Sequence, residues 1–193
     1  MNKKITLAVL FFIFLLIAVP AIQSLFFAQQ TTGKIIVNKN IEAPYLASAD
    51  KDLILVFFGY VGCVKVCSPI LQQLSNFYDS SEFAPVQPFV SFSFVNLMPQ
   101  LESDQPDLFA KSFNPEFKGI YLSQKELMGI DRQFSLFFSN SLRDEGEIDH
   151  SDHLYLLQRQ KNGLLLLKNI YTTHPLNQKR LIHDILEIQK ETE

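Results

Sequence analysis

The chain has 193 residues, 47% of them apolar and 19% charged, with 18 Phe and no Trp, which is enough apolar material for one core. Its formal net charge is −3; only Lys3 and Lys4 fall in the first 28 positions, so the remainder carries 15 basic against 20 acidic residues, a net of −5. An acidic chain without a basic stretch lacks the electrostatic footprint of a nucleic-acid-binding protein and excludes that class.

From Ile5 to Ala28 no charged residue occurs over 24 positions. As a helix this stretch would reach roughly 36 Å, against about 30 Å for a bilayer core. It predicts a membrane anchor over residues 1–28. Lys3 and Lys4 favour a cytoplasmic N-terminus and place the rest of the chain outside, as in a single-pass inner-membrane protein facing the periplasm or another extracytoplasmic side. The alternative is a cleaved signal peptide, for which Val19-Pro20-Ala21 is a poor cleavage site. Either way residues 30–193 meet an oxidising compartment in which two cysteines can form a disulfide.

Residues 29–50 read as a polar linker with one short strand at Lys34–Val37, and residues 51–193 as the globular domain. Leu53 to Phe58 is a continuous apolar run closed by Gly59, the pattern of a strand buried on both faces. Ser68-Pro69 predicts a helix start, with Ser as N-cap and Pro in the first helical position. Ile70, Leu71, Leu74, Phe77 and Tyr78 then recur at helical spacing. A second strand is predicted over Phe89–Val95. A short helix is predicted over Pro106–Phe113. A capping box at Ser123–Glu126 opens a longer helix with Leu127, Ile130, Phe134, Phe137 and Phe138 on its apolar stripe. Leu154–Gln158 and Leu164–Tyr171 form a hairpin around Lys161-Asn162-Gly163. A closing helix from about Asn177 to Lys190 carries Leu181, Ile185 and Ile188. A β-α-β unit followed by a hairpin and a last helix is the thioredoxin-like α/β arrangement.

The chain's two cysteines, Cys63 and Cys67, stand between the first core strand and its helix, at the carboxyl end of a strand where such folds place their chemistry. A helix N-terminus favours thiolate, and Lys65 between them pushes the same way. Residues four apart in a tight turn approach to about 5–6 Å, close enough for a disulfide or for two sulfurs on one metal ion. A structural disulfide across so short a loop would constrain the unfolded chain little. A redox pair more usually has C-x-x-C spacing. A two-sulfur metal site, linear Cu(I) excepted, needs a third ligand.

Four histidines can supply one. His183 falls among Arg180, Asp184 and Glu187 on the closing helix and reads as solvated. His174 precedes Pro175 in a loop and reads as a surface residue. His150 and His153 lie in a loop just before the strand at Leu154, which in this fold faces the cysteine loop. Two thiolates and an imidazole suit Cu(I), and with a further ligand Cu(II) or Zn(II). Asp149 or Asp152 could orient the imidazole.

Phe58-Gly59-Tyr60-Val61-Gly62-Cys63-Val64-Lys65-Val66-Cys67-Ser68-Pro69, the later Asp149-His150-Ser151 with Tyr155-Leu156-Leu157, and Phe113-Asn-Pro-Glu-Phe-Lys-Gly119 between them resemble the Sco/SenC family of copper-binding cytochrome c oxidase assembly proteins. The resemblance runs from about Leu53 to Tyr171 and includes the N-terminal anchor. The chain departs from the family's pattern at Val64-Lys65, where the family has Pro-Asp, at Ser68, where it has Pro, and at Val95-Asn96-Leu97, where it has Val-Asp-Pro.

The resemblance implies a thioredoxin-like fold and copper held by Cys63, Cys67 and His150. It implies delivery of that copper to a cytochrome c oxidase subunit or another copper-accepting protein. Two alternatives stay open: a thiol-disulfide oxidoreductase in which Cys63 attacks and Cys67 resolves, the two forming a disulfide, and a copper or redox sensor. No other catalytic residue is expected.

Overall fold

The computed structural model describes residues 11–16, 18–19, 33–47, 49–142 and 146–192. The expected anchor over residues 1–28 lies outside them except for two helical stretches, 11–16 and 18–19. Among the described residues no helix is long and apolar enough to cross a membrane.

Among the described residues from Gly33 onward, eight strands and five α-helices follow in the order β1 (Lys34–Ile41), β2 (Leu53–Gly59), α1 (Cys67–Tyr78), β3 (Val90–Asn96), α2 (Gln105–Lys111), β4 (Lys118–Ile120), α3 (Gln124–Leu127), α4 (Ile130–Phe134), β5 (Phe138–Asn140), β6 (Ile148–His150), β7 (Leu154–Arg159), β8 (Leu165–Tyr171) and α5 (Gln178–Thr192). Six strands form one sheet in the order β1-β8-β7-β2-β3-β4, and β5 pairs with β6 alone. β2 runs parallel to β3 and antiparallel to β7, and β7 and β8 form the expected hairpin. Its turn uses Gly163 at φ +83°, and Asn162 Oδ1 accepts the Leu164 N–H at 3.0 Å.

β2 is central because all seven of its residues are buried, as its unbroken apolar run requires. Its side chains alternate between two cores. Leu53, Leu55 and Phe57 pack with Ile70, Leu71 and Leu74 of α1 and Leu181, Ile185 and Ile188 of α5. Ile54, Val56 and Phe58 pack with Leu127 of α3 and Ile130 and Phe134 of α4. A central sheet with helices on both faces is the thioredoxin-like α/β arrangement. The Phe113–Gly119 segment is pinned beneath α1. Asn114 Nδ2 donates to the Asp79 carboxylate at 3.0 Å, and Ser75 Oγ donates to the Phe113 carbonyl at 2.8 Å.

Three expectations are corrected. The long helix expected from Ser123 is two short ones. The capping box forms, with Ser123 N–H donating to Glu126 Oε2 at 2.8 Å. Gly129 at φ +89° then breaks the helix, and Ser135 at φ +54° ends its continuation. The chain turns into β5, so Phe137, expected on the buried stripe, is 61% exposed. β4, β5 and β6 are three residues each, too short to leave a periodic signal. The helix after the cysteines begins at Cys67, with Val66 as N-cap, because Pro69, lacking an N–H, fits anywhere in the first turn. The strand expected at Lys34–Val37 extends to Ile41 and joins the sheet beside β8.

Candidate metal centre

The cysteine loop is built by its backbone. β2 stops at Gly59, and Gly62 turns the chain at φ +90°. Leu97 N–H donates to the Gly59 carbonyl at 2.7 Å. Asn96, fully buried at the end of β3, accepts the Val61 N–H on Oδ1 at 3.2 Å and donates from Nδ2 to the Met98 carbonyl. Cys63 N–H donates to the Tyr60 carbonyl at 3.2 Å, and the Cys63 carbonyl accepts from Ser68 N–H at 3.1 Å and Ser68 Oγ at 2.9 Å. Ser68, expected as an N-cap, instead ties the first helical turn back onto the loop. Gly59 leaves room for the sulfur: a Cβ there would stand 2.8 Å from Cys67 Sγ and 3.0 Å from a Phe94 ring carbon.

Cys63 and Cys67 are both buried, and both are free thiols in this structure. Cys63 Sγ accepts the Cys67 N–H at 3.2 Å, so a sulfur caps the helix start. Hydrogen bonding from Cys67 is the main cause that pulls the Cys63 thiol well below its ordinary range, against burial and with help from His150. The same hydrogen bond and burial push the Cys67 thiol up. The pair therefore shares one proton, with the charge on Cys63. The Lys65 ammonium, assigned this role from the sequence, sits on the exposed loop and is not among the leading causes.

His150 closes the cluster. It ends β6, opposite Phe138 of β5. Ser151 continues the pairing: its N–H donates to the Phe137 carbonyl at 2.8 Å, and its Oγ accepts the Phe137 N–H at 3.1 Å. His150 Nδ1 lies 2.9 Å from the Ser151 carbonyl. A carbonyl only accepts, so Nδ1 carries the proton and Nε2 presents its lone pair in the neutral ring. Nε2 lies 3.4 Å from Cys67 Sγ. The backbone thus does the orienting that the sequence assigned to Asp149 or Asp152. Burial pulls the His150 pKa down, but the hydrogen bonds to Cys63 and to Ser151 outweigh it and the net shift is upward.

The ligand atoms of Cys63, Cys67 and His150 all lie within 4.8 Å of one another, and among the described residues this is the group of at least three such side chains that could hold a metal ion. Two buried sulfurs and one half-buried imidazole nitrogen, already brought together, fit a soft-to-borderline cation such as copper. His153 stands apart, tilted against Tyr155 with ring centroids 6.3 Å apart; burial lowers its pKa. His174 hydrogen-bonds the Asp152 carbonyl from Nε2, and His183 is exposed on α5. Tyr60, Asn96 and Ser151 support the site, a role not assigned to them from the sequence. Their signal is position: Tyr60 and Ser151 lie inside the two motifs and Asn96 ends the strand beside the cysteine loop.

The SCO1/SenC family profile matches residues 35–187. The human mitochondrial protein SCO1 homolog is 24% identical over 116 residues, covering 56% of this chain and 38% of the relative; the match spans about two fifths of the length of the mitochondrial relatives. The solution structure of apo Sco1 from Thermus thermophilus superposes with a TM-score of 0.55 at 25% identity, covering 80% of this chain and 92% of that one. Arabidopsis thaliana ScoI, whose crystal structure has copper bound, gives a TM-score of 0.59 at 19% identity over 72% of this chain and 85% of that one, and shares the fold. A six-stranded sheet, a cysteine pair between β2 and α1 and a profile match over most of the chain agree: the chain belongs to the SCO1/SenC family.

Proposed function

We propose that this chain is a copper-binding protein that holds one copper ion through Cys63, Cys67 and His150 and assists assembly of a cytochrome c oxidase copper centre. Residues 1–28 anchor it to a membrane, residues 29–50 link the anchor to the domain, and residues 51–193 work on the extracytoplasmic side. The carrying observation is the convergence of the three ligand atoms within 4.8 Å, with Nε2 left unprotonated in the neutral ring because Nδ1 donates to a carbonyl. A relative of the same fold is described with copper bound. The test is titration of the reduced protein with Cu(I) against a chelator. One equivalent is expected per chain, and none in the Cys63→Ser, Cys67→Ser double variant. Equal uptake by wild type and double variant refutes the assignment.

A second reading is favoured by the Cys63 thiolate beside the Cys67 thiol. A thiolate next to a protonated partner is the layout of a thiol-disulfide exchange couple. The Cys63 thiolate would attack a substrate disulfide and release one substrate thiolate. Cys67, once deprotonated, would displace the second, leaving the substrate reduced and Cys63–Cys67 oxidised. Turnover of a mixed-disulfide substrate that persists in His150→Ala supports this reading over copper delivery.

A further inference from the structure

Tyr60 is the first residue beyond β2 and is 7% exposed. It meets two of the three proposed ligands from one position. Its carbonyl accepts the Cys63 N–H at 3.2 Å. Its ring stands edge-to-face against the His150 imidazole, with centroids 5.9 Å apart and planes at 87°. Aromatic pairs prefer this geometry. The Ser151 carbonyl fixes the direction of Nδ1, but a single hydrogen bond leaves the plane of an imidazole free to rock about that bond. An aromatic ring set perpendicular to it removes that freedom.

We propose that Tyr60 is a positioning residue: its ring holds the His150 imidazole in the plane that turns Nε2 toward the two sulfurs. The inference deepens the copper reading and rests on it for its metal readout, and it acts through His150, not through contact with the ion. It commits to the ring as the holding group, so phenylalanine should serve as well as tyrosine and an aliphatic side chain should not.

The experiment compares the reduced wild-type chain with Tyr60→Phe and Tyr60→Leu. Cu(I) affinity by chelator competition is expected within about threefold of wild type in Tyr60→Phe, and about tenfold or more weaker in Tyr60→Leu, the scale of lost ligand orientation. A filler with no orienting role would lower the thermal stability of Tyr60→Leu without changing the affinity of the folded molecules. Nuclear Overhauser contacts between the His150 ring protons and the Cys67 methylene in the metal-free reduced protein give a readout independent of copper. Wild type and Tyr60→Phe are expected to show them at equal strength, and Tyr60→Leu to lose most of their intensity as the ring rocks away from the sulfurs. Undiminished contacts and unchanged affinity in Tyr60→Leu overturn the proposal, as does a loss in Tyr60→Phe equal to that in Tyr60→Leu. If wild type takes up no copper, the copper reading fails and the ring-proton contacts still decide the role of Tyr60.

Discussion

His150 Nε2 lies 3.4 Å from Cys67 Sγ across 83 residues of sequence. Two elements create that contact: β6, which ends on His150, and the start of α1, which begins on Cys67. His153, three residues on, points elsewhere, its ring tilted against Tyr155. His150→Ala is therefore expected to weaken Cu(I) binding by at least about tenfold, and His153→Ala to change it by less than about threefold. Chelator-competition titrations of the two variants check this. Equal losses would mean that either histidine can ligate, which the observed geometry does not support.

The shared proton of the cysteine pair sets a pH dependence of stability in the reduced, metal-free protein. The Cys63 thiol is lowered on folding, so its contribution is fully present above the ordinary thiol pKa and is lost as pH falls toward its folded value. The Cys67 thiol is raised, so its contribution is present below the ordinary thiol pKa and fades above it. His150 is raised, and its contribution is lost as pH rises from the ordinary imidazole value through its folded one. Below the imidazole range stability should climb with pH, by at most about 1.4 kcal/mol per pH unit for one proton. It should flatten where folded His150 keeps a proton that the unfolded chain has lost, climb again once that proton leaves, and turn over near pH 8.5–9, roughly the ordinary thiol range. Urea midpoints measured across pH check the shape. Cys63→Ser should remove both climbing limbs.

Gly119 carries the closest approach among the described glycines. A Cβ there would stand 1.8 Å from the Pro106 carbonyl oxygen and 2.4 Å from the Asp107 nitrogen. The Gly119 N–H also donates to Asp107 Oδ1 at 3.1 Å. The clash is with backbone, so no side chain can swing away. Gly119→Ala should cost about 2–3 kcal/mol or more through overpacking, a fall in melting temperature of at least about 5 °C for a chain of this size. Calorimetry measures it. A fall below about 2 °C would mean that the α2–β4 junction yields easily.

Much of this fold was legible because its main elements are long and strongly patterned. The unbroken apolar run of β2, the alternation of β3 and the stripes of α1 and α5 each announce their element through burial. What was illegible is short. β5 and β6 are three residues each and make their case only through pairing with each other, which one sequence does not display. That hairpin delivers His150, so the histidine was placed in a loop and the Ser151 carbonyl that orients it was missed. The thiol charge was credited to the helix N-terminus and to Lys65, whereas the hydrogen bonds from the Cys67 side chain and backbone N–H to the Cys63 sulfur appear only once the turn is built.

Gly59 couples the sheet to the metal centre more tightly than the motif around it implies. Its absent side chain is the space that Cys67 Sγ occupies, since a Cβ would sit 2.8 Å from that sulfur and 3.0 Å from the Phe94 ring. Both neighbours are buried, and Phe94 is fixed between β2 and its own core partners. The sulfur, at the mobile end of a short side chain, is the atom that must move. Gly59→Ala should displace Cys67 Sγ and misalign it with His150 Nε2. The stability cost should be modest, about 1–2 kcal/mol, while Cu(I) affinity should fall by about tenfold or more. Chelator competition together with calorimetry separates the two effects. Affinity unchanged at a lowered melting temperature would show that the core absorbs the methyl group and the sulfur stays in place.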